Sequence, residues 1–205
     1  MTERTDLDAL ARRLSKPGGR RLVALVGAPG SGKSTLCGAL EGRLNEAAPG
    51  RAVTVPMDGF HYDDAVLCEL GLLARKGAPE TFDVGGLAAA LARLRAAEDP
   101  WVAVPLFDRS LEIARAGARL VRPEVDVVLV EGNYLLLDEP PWDGLPPFDL
   151  AVRLDVPEVE LRRRLEARWT DLPPEEARRK VEENDLPNGR RARERSRPPD
   201  LTLEP

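Results

Sequence analysis

A chain of 205 residues suits one α/β domain with a sizeable core and leaves little room for a second full domain. Its formal charge of −5 argues against bulk binding to nucleic acid or an anionic membrane, so neither partner is expected. The single histidine, His61, argues against a His-based zinc site or a Ser-His-Asp triad, and Cys37 and Cys68 lack metal-ligand spacing. Free thiols suit a reducing compartment, and with no bilayer-length apolar run or leader core the expected location is the cytoplasm.

In chain order, Thr5-Asp6-Leu7-Asp8 reads as a capping box with Asp8 in place of Glu, and Leu7, Leu10, Ala11 and Leu14 line one helical face. Pro17-Gly18-Gly19 ends that helix. Leu22 to Val26 is an apolar run of strand length. It feeds Gly27-Ala28-Pro29-Gly30-Ser31-Gly32-Lys33-Ser34, which fits G-x-x-x-x-G-K-[ST]. A helix follows from Thr35 to Glu46, with Leu36, Leu40 and Leu44 on one face. After Pro49-Gly50, the strand Ala52–Val55 runs out into Met57-Asp58-Gly59-Phe60-His61. Val66 to Leu73 reads as helix, Lys76 to Pro79 as a turn, and Gly86 to Ala97 as an Ala-rich helix. Trp101 to Val104 reads as a strand ending at Pro105, and Val125 to Val130 as a parallel strand buried on both faces. Leu150 to Val156 is another strand, Pro157 opens a helix to about Trp169, and Leu201-Thr202-Leu203 could add a last short strand. This alternation predicts an α/β doubly wound parallel sheet flanked by helices, with ligands at the C-terminal ends of the strands.

The glycine-rich turn carries the strongest chemical signal. Its glycines let the backbone curl so that N–H groups face phosphate oxygens at a helix N-terminus. The binding segment is Gly27, Ala28, Pro29, Gly30, Ser31, Gly32, Lys33 and Ser34, with Thr35 in the helix that follows. Lys33 is placed for β- and γ-phosphates, and the Ser34 hydroxyl for Mg²⁺. A nucleoside triphosphate is the expected ligand.

Two carboxylates also fall just past strand ends. Asp58 is placed to take a proton from an acceptor hydroxyl, or to act through Mg²⁺. Glu131 closes the run Val127–Val130 and is placed to hold Mg²⁺ through water or to orient the acceptor; either residue could be the base. Leu135-Leu136-Leu137-Asp138-Glu139-Pro140 imitates the acidic motif of transporter ATPases, but no signature serine-glycine segment precedes it and no histidine follows residue 61. A guanine-reading Asn-Lys-x-Asp motif is also absent from the chain. The basic stretch Arg190 to Arg197 is read as flanking the nucleotide or as solvated; its rival reading is an RNA contact.

The P-loop, the Met57–His61 segment and Val130-Glu131-Gly132-Asn133-Tyr134-Leu135-Leu136 together resemble the superfamily of phosphoribulokinase, uridine kinase and bacterial pantothenate kinase. Within it, the segments Lys76–Asp83, Val104–Arg109 and Glu183–Gly189 are similar to the group labelled fructose transport system kinases, and the likeness covers nearly the whole chain. The resemblance implies a single P-loop kinase domain over 1–205 with a small helical lid at about 158–190, using ATP and Mg²⁺, as a monomer or homodimer. It implies that Phe82, Asp83, Phe107, Asp108 and Arg109 line an acceptor pocket beside Asp58, His61, Glu131 and Tyr134. Arg109 would meet an anionic group or the transferring phosphoryl. It further implies that Arg164 and Arg168 close over the phosphates and that Asn184, Asn188 and Arg190 border the adenine or the lid hinge. The acceptor is expected to be a hydroxyl of a small metabolite, most simply a sugar such as fructose. The alternatives are a nucleoside or pantothenate-like compound, or a regulatory ATPase with no acceptor. His61 stands where uridine kinases have tyrosine, and the chain is short for the substrate lobe of pantothenate kinase, so these two acceptors are less favoured.

Overall fold

The computed structural model describes residues 2–204. Its central sheet is built from β1 (Glu3–Thr5), β2 (Arg21–Val26), β3 (Ala52–Pro56), β6 (Val127–Gly132), β7 (Leu150–Leu154) and β8 (Leu201–Leu203). These six strands are parallel and lie in the order β1-β8-β7-β2-β6-β3. The order reverses around β2, so the loop after β2 opens into the crevice where such sheets bind ligands.

Alternation along the central strands sorts the core into two layers. Leu22, Ala24 and Val26 of β2, with Val128 and Val130 of β6, face the core that contains Leu87, Leu91 and Leu94 of α4 (Val84–Ala96). Val23, Leu25, Val127 and Leu129 face the opposite layer. There they meet Leu10 and Leu14 of α1 (Leu7–Leu14) and Leu40 and Leu44 of α2 (Lys33–Ala47). Each such fully buried leucine contributes about 1.5–3 kcal/mol relative to exposure, which is why β2 and β6 are apolar on both faces. A third cluster joins Leu161 and Leu165 of α5 (Glu158–Arg168) to Val181 and Leu186. It ties α5 to the segment formed by α6 (Pro174–Arg179), a π-helical stretch (Lys180–Asp185) and α7 (Leu186–Glu194).

Several sequence expectations are corrected. Asp6, not Thr5, caps α1, accepting the Ala9 N–H at 2.7 Å, and Thr5 belongs to β1. The helix expected over Val66–Leu73 is α3 (Asp64–Glu69), capped by Asp63 and followed by a separate 3₁₀ turn at Leu73–Arg75. The strand expected to stop at Pro105 continues as β4 (Val102–Asp108), and it is not in the parallel sheet. It pairs antiparallel with β5 (Ile113–Val121), a strand absent from the sequence reading. A bulge between Val104 and Leu106 takes the proline out of regular pairing. Among the described residues, no helix is long and apolar enough to cross a membrane.

Candidate active site

The P-loop leaves β2 and turns into α2, with Gly30 at φ 77° and Gly32 at φ 93°, conformations that favour glycine. Lys33 is nearly buried, and its ammonium donates to the Ala28 carbonyl at 3.1 Å. Burial pulls the Lys33 ammonium below its ordinary value, and the charges of Glu131 and Asp58 hold it up. Beside it the Ser34 hydroxyl donates to Glu131 Oε1 at 3.1 Å. Glu131 is pushed up by burial and by the charge of Asp58, and restrained by Lys33 and Ser34.

Sheet register explains why these groups meet. Glu131 pairs with Leu25 of β2 on one side and with Pro56 of β3 on the other. The first P-loop glycine therefore follows two residues after Glu131's partner on β2, and Asp58 follows two residues after its partner on β3. The chain at Met57–Phe60 is a 3₁₀ turn, and Gly59 lets it lie against β4: an added methyl there would fall 2.7 Å from the Pro105 carbonyl carbon. Gly132 lies as close to Met57, where an added methyl would stand 2.5 Å from the Met57 Cβ.

Asp58 Oδ2 accepts from Arg109 Nη2 at 2.6 Å, across from the turn after β4. The Asp58 carbonyl takes the Nδ1–H of His61 at 2.8 Å. The His61 ring packs between Phe82 and Phe107, with centroids 4.0 and 4.9 Å away. Burial lowers its pKa more than Asp58 raises it, so the ring is neutral near pH 7.

Two adjoining hollows surround the P-loop. A cleft of about 370 Å³ is lined by Lys33, Ser34, Thr35, Asp58, His61, Phe82, Phe107, Arg109, Glu131 and Arg168. A groove of about 480 Å³ is lined by Gly27, Ala28, Ser31, Val156, Leu161, Leu165, Leu186 and Arg190. Pro29, Asn133 and Asp185 border both. A polar cleft joined to a more apolar groove under one glycine-rich turn is the shape required by a triphosphate with a base attached.

Not every expected site residue lines the cleft. Asp83 does not face the cleft, because its carboxylate caps α4 by accepting the Gly86 N–H at 2.8 Å. Asp108 turns away to accept from Ser110 Oγ at 2.6 Å and to pair with Arg115 at 3.4 Å. Tyr134 is fully buried against Phe82 and Trp142, and its hydroxyl donates to the Gly77 carbonyl at 2.7 Å. Asn188 is buried and donates to Asn184 at 3.0 Å, while Arg190 pairs with Glu158 on the groove rim. Arg164 lies against the P-loop itself. Its Nη1 donates to the Ser31 carbonyl at 3.2 Å, and Glu160 one turn earlier holds its Nε at 2.7 Å. Of the two α5 arginines expected to close over the phosphates, Arg168 is the one in the cleft, where it lies over Trp169.

Sequence reasoning missed Lys76, Glu112, Trp169, Lys180 and Asp185, which also line the cleft. Lys76 and Asp185 had a signal, their places in the Lys76–Asp83 and Glu183–Gly189 segments. The Trp169 indole donates to Asp185 at 2.8 Å, which fixes the π-helical stretch against the end of α5.

Among the described residues no cluster of three or more His, Cys, Asp or Glu side chains is arranged for a metal. The Ser34 hydroxyl with the Glu131 carboxylate instead makes a pair of hard oxygen donors beside Lys33, which fits Mg²⁺ shared with substrate phosphates and water.

A parallel sheet, a P-loop after β2, Glu131 near the end of the adjacent strand β6 and Asp58 just past β3 make up the frame of a P-loop kinase. A protein of Schizosaccharomyces pombe provisionally named a uridine kinase is 32% identical over 195 residues, covering 90% of this chain and 83% of its own length. A pantothenate kinase of Bradyrhizobium is 34% identical over 166 residues, and the match covers 75% of this chain and 51% of the relative, so the chain spans about half of that enzyme. Among solved structures, one from Silicibacter provisionally named a fructose transport system kinase superposes with a TM-score of 0.85 at 46% identity, covering 96% of this chain and 98% of the other. No family model matches the chain. The chain belongs to the kinase superfamily that includes the uridine and pantothenate kinases, and it is a kinase enzyme.

Proposed function

We propose that the chain is an ATP- and Mg²⁺-dependent kinase that phosphorylates a hydroxyl of a small metabolite, most simply a sugar such as fructose. The observation that carries this reading is the placing of Asp58 and Glu131 on one cleft with Lys33 and Ser34. The groove holds the nucleoside, and the cleft holds the phosphates and the acceptor. Helices in the 158–190 region act as the lid of a single domain spanning 1–205.

In this reading the acceptor oxygen bonds to the γ-phosphorus while the bond to the β,γ-bridging oxygen breaks, and ADP leaves with that electron pair. The hydroxyl proton passes to Asp58. Lys33 and Arg168 meet the negative charge on the transferring group. Ser34 and Glu131 would hold Mg²⁺, which would supply neutralisation of phosphate charge. Glu131 lies deeper than Asp58 and already accepts a hydrogen bond from the Ser34 hydroxyl, which supports Asp58 as the base.

The test is a coupled ADP-release screen over sugars, nucleosides and vitamin precursors, run on the wild type and on Asp58→Asn. Acceptor-dependent release should fall ~10²–10⁴-fold in the variant while ATP binding persists. Transfer at the wild-type rate would move the base to Glu131. Hydrolysis that no compound stimulates would favour a regulatory ATPase.

A further inference from the structure

We infer that Lys180 is a phosphate-contacting cation, paired with Arg168 on the Trp169 ring, and that the two close together on the γ-phosphate of the nucleotide. This rests on the kinase reading above and deepens it, since the resemblance implies Arg164, not Lys180, as the partner of Arg168. Five cations line the cleft, and three of them are engaged. Lys33 donates to the Ala28 carbonyl at 3.1 Å, Lys76 pairs with Asp64 at 2.7 Å and Arg109 pairs with Asp58 at 2.6 Å. Among the described residues, the charged groups of Arg168 and Lys180 have no hydrogen-bond or ion-pair partner. They lie instead on one ring, the Arg168 guanidinium carbon 5.1 Å and the Lys180 nitrogen 5.3 Å from the Trp169 centroid.

Two like charges on one ring repel each other, and an anion between them turns that repulsion into attraction. The carboxylate at hand does not supply it: Asp185 accepts from the Trp169 indole at 2.8 Å and pairs with neither cation. The glycine-rich turn lines the same cleft through Pro29, Gly30 and Gly32, so a phosphate chain held by that turn reaches the space the two cations face. A γ-phosphate carries its charge on three terminal oxygens, enough to engage a planar guanidinium and a compact ammonium at once. Local structure brings the pair together. Trp169 ends α5 and Lys180 opens the π-helical stretch, so one indole gathers a charge from each side of α6. Arg164 does not fill this place, because the Ser31 carbonyl and Glu160 hold its guanidinium.

The test compares ADP with AMP-PNP, which adds a γ-phosphoryl group, by calorimetry in Mg²⁺ with no acceptor present. A charge on the acceptor therefore plays no part. The proteins are the wild type, Lys180→Met and Lys180→Arg; methionine keeps an unbranched stem over Trp169 and removes the charge. The wild type should bind AMP-PNP more tightly than ADP. Lys180→Met should weaken AMP-PNP about 10–100-fold, as expected for loss of a charge-assisted hydrogen bond, with ADP little changed. Lys180→Arg should restore part of the loss. In a double-mutant cycle with Arg168→Met the two losses should be non-additive, because both cations meet one anion; additive losses would place them on different groups and overturn the pairing. Equal weakening of ADP and AMP-PNP would make Lys180 a structural support of the lid, and unchanged binding would make it a solvated lysine. Either result overturns the inference. A γ-phosphate preference that survives Lys180→Met overturns it and leaves the kinase reading intact, whereas a wild type that binds neither nucleotide overturns both.

Discussion

Replacing glycine by alanine should have opposite signs at two places in this chain. Gly38 lies in the exposed middle of α2, and an added methyl there meets no atom within 4 Å. Gly38→Ala should stabilise by about 0.5–1 kcal/mol, since alanine restricts the unfolded chain and favours helix. Gly59 lies in the Met57–Phe60 turn, where the methyl would press on the Pro105 carbonyl of β4. That obstacle is backbone, so the hairpin itself must move. Overpacking of this kind costs about 1–3 kcal/mol, which for a chain of this size lowers Tm by roughly 2–12 °C. Displacing β4 also displaces Arg109, so kcat should fall while ATP affinity, set by the P-loop, changes little. Thermal and urea unfolding followed by circular dichroism give the stabilities, and ATP titration gives the affinity. A Gly59→Ala protein as stable and active as the wild type would refute the claim that this close approach positions Asp58.

Two further outcomes follow from the geometry. Arg164→Ala removes a brace on the Ser31 carbonyl and should raise KM for ATP with little change in kcat; Arg168→Ala should lower kcat by ~10²–10³-fold, and steady-state kinetics that show the reverse would exchange the two roles. His61 is the only histidine, so its C2–H proton resonance titrates alone, with a midpoint expected below 6.5. The folded protein then binds fewer protons than the unfolded chain between that midpoint and 6.5, so stability should fall as pH drops through this window. His61→Gln should flatten that slope in pH-dependent urea unfolding.

What the sequence made legible was local. The P-loop is a run of neighbouring residues whose φ demands appear as glycines, and the strands β2 and β6 announce themselves by apolar residues on both faces. Asp58 and Glu131 could be placed because a parallel sheet puts strand ends together whatever the loops do. The hairpin was illegible for the opposite reason: β5 is mostly exposed, reads Ile-Ala-Arg-Ala-Gly-Ala-Arg-Leu-Val, and shows no clean alternation. Without β5, nothing indicated that Arg109 would return to Asp58, 51 residues earlier in the chain. Asp83 was readable after all, since an aspartate ahead of an apolar helical run is an N-cap signal that competes with a pocket assignment. Tyr134 follows Glu131 by three residues, yet buried aromatic packing with Phe82 and Trp142 claims its ring.

The two acids share a pattern that separates them from other carboxylates in the chain: each closes a strand or follows one, and each is followed by glycine. Neither Gly59 nor Gly132 has a positive φ, so the glycines do not serve the backbone angle. They serve approach. At Gly132 the missing side chain admits Met57, the residue before Asp58, and at Gly59 it admits the β4 backbone that leads to Arg109. Consecutive residues point in different directions, so the acid can face the cleft while its neighbour packs behind it. The result is a chain of close contacts from Gly132, beside Glu131, through the Met57 side chain and Gly59 to the Pro105 backbone. Close-packed interiors transmit displacement rather than absorb it. The carboxylate that fits the metal, the carboxylate that fits the base and the arginine beside it therefore stand on one rigid layer, whereas Arg168 rides on α5, which is held by a separate apolar cluster with Val181 and Leu186. If the α5–α7 segment acts as the proposed lid, its closure over bound phosphates is expected to leave the Asp58–Arg109 geometry unchanged.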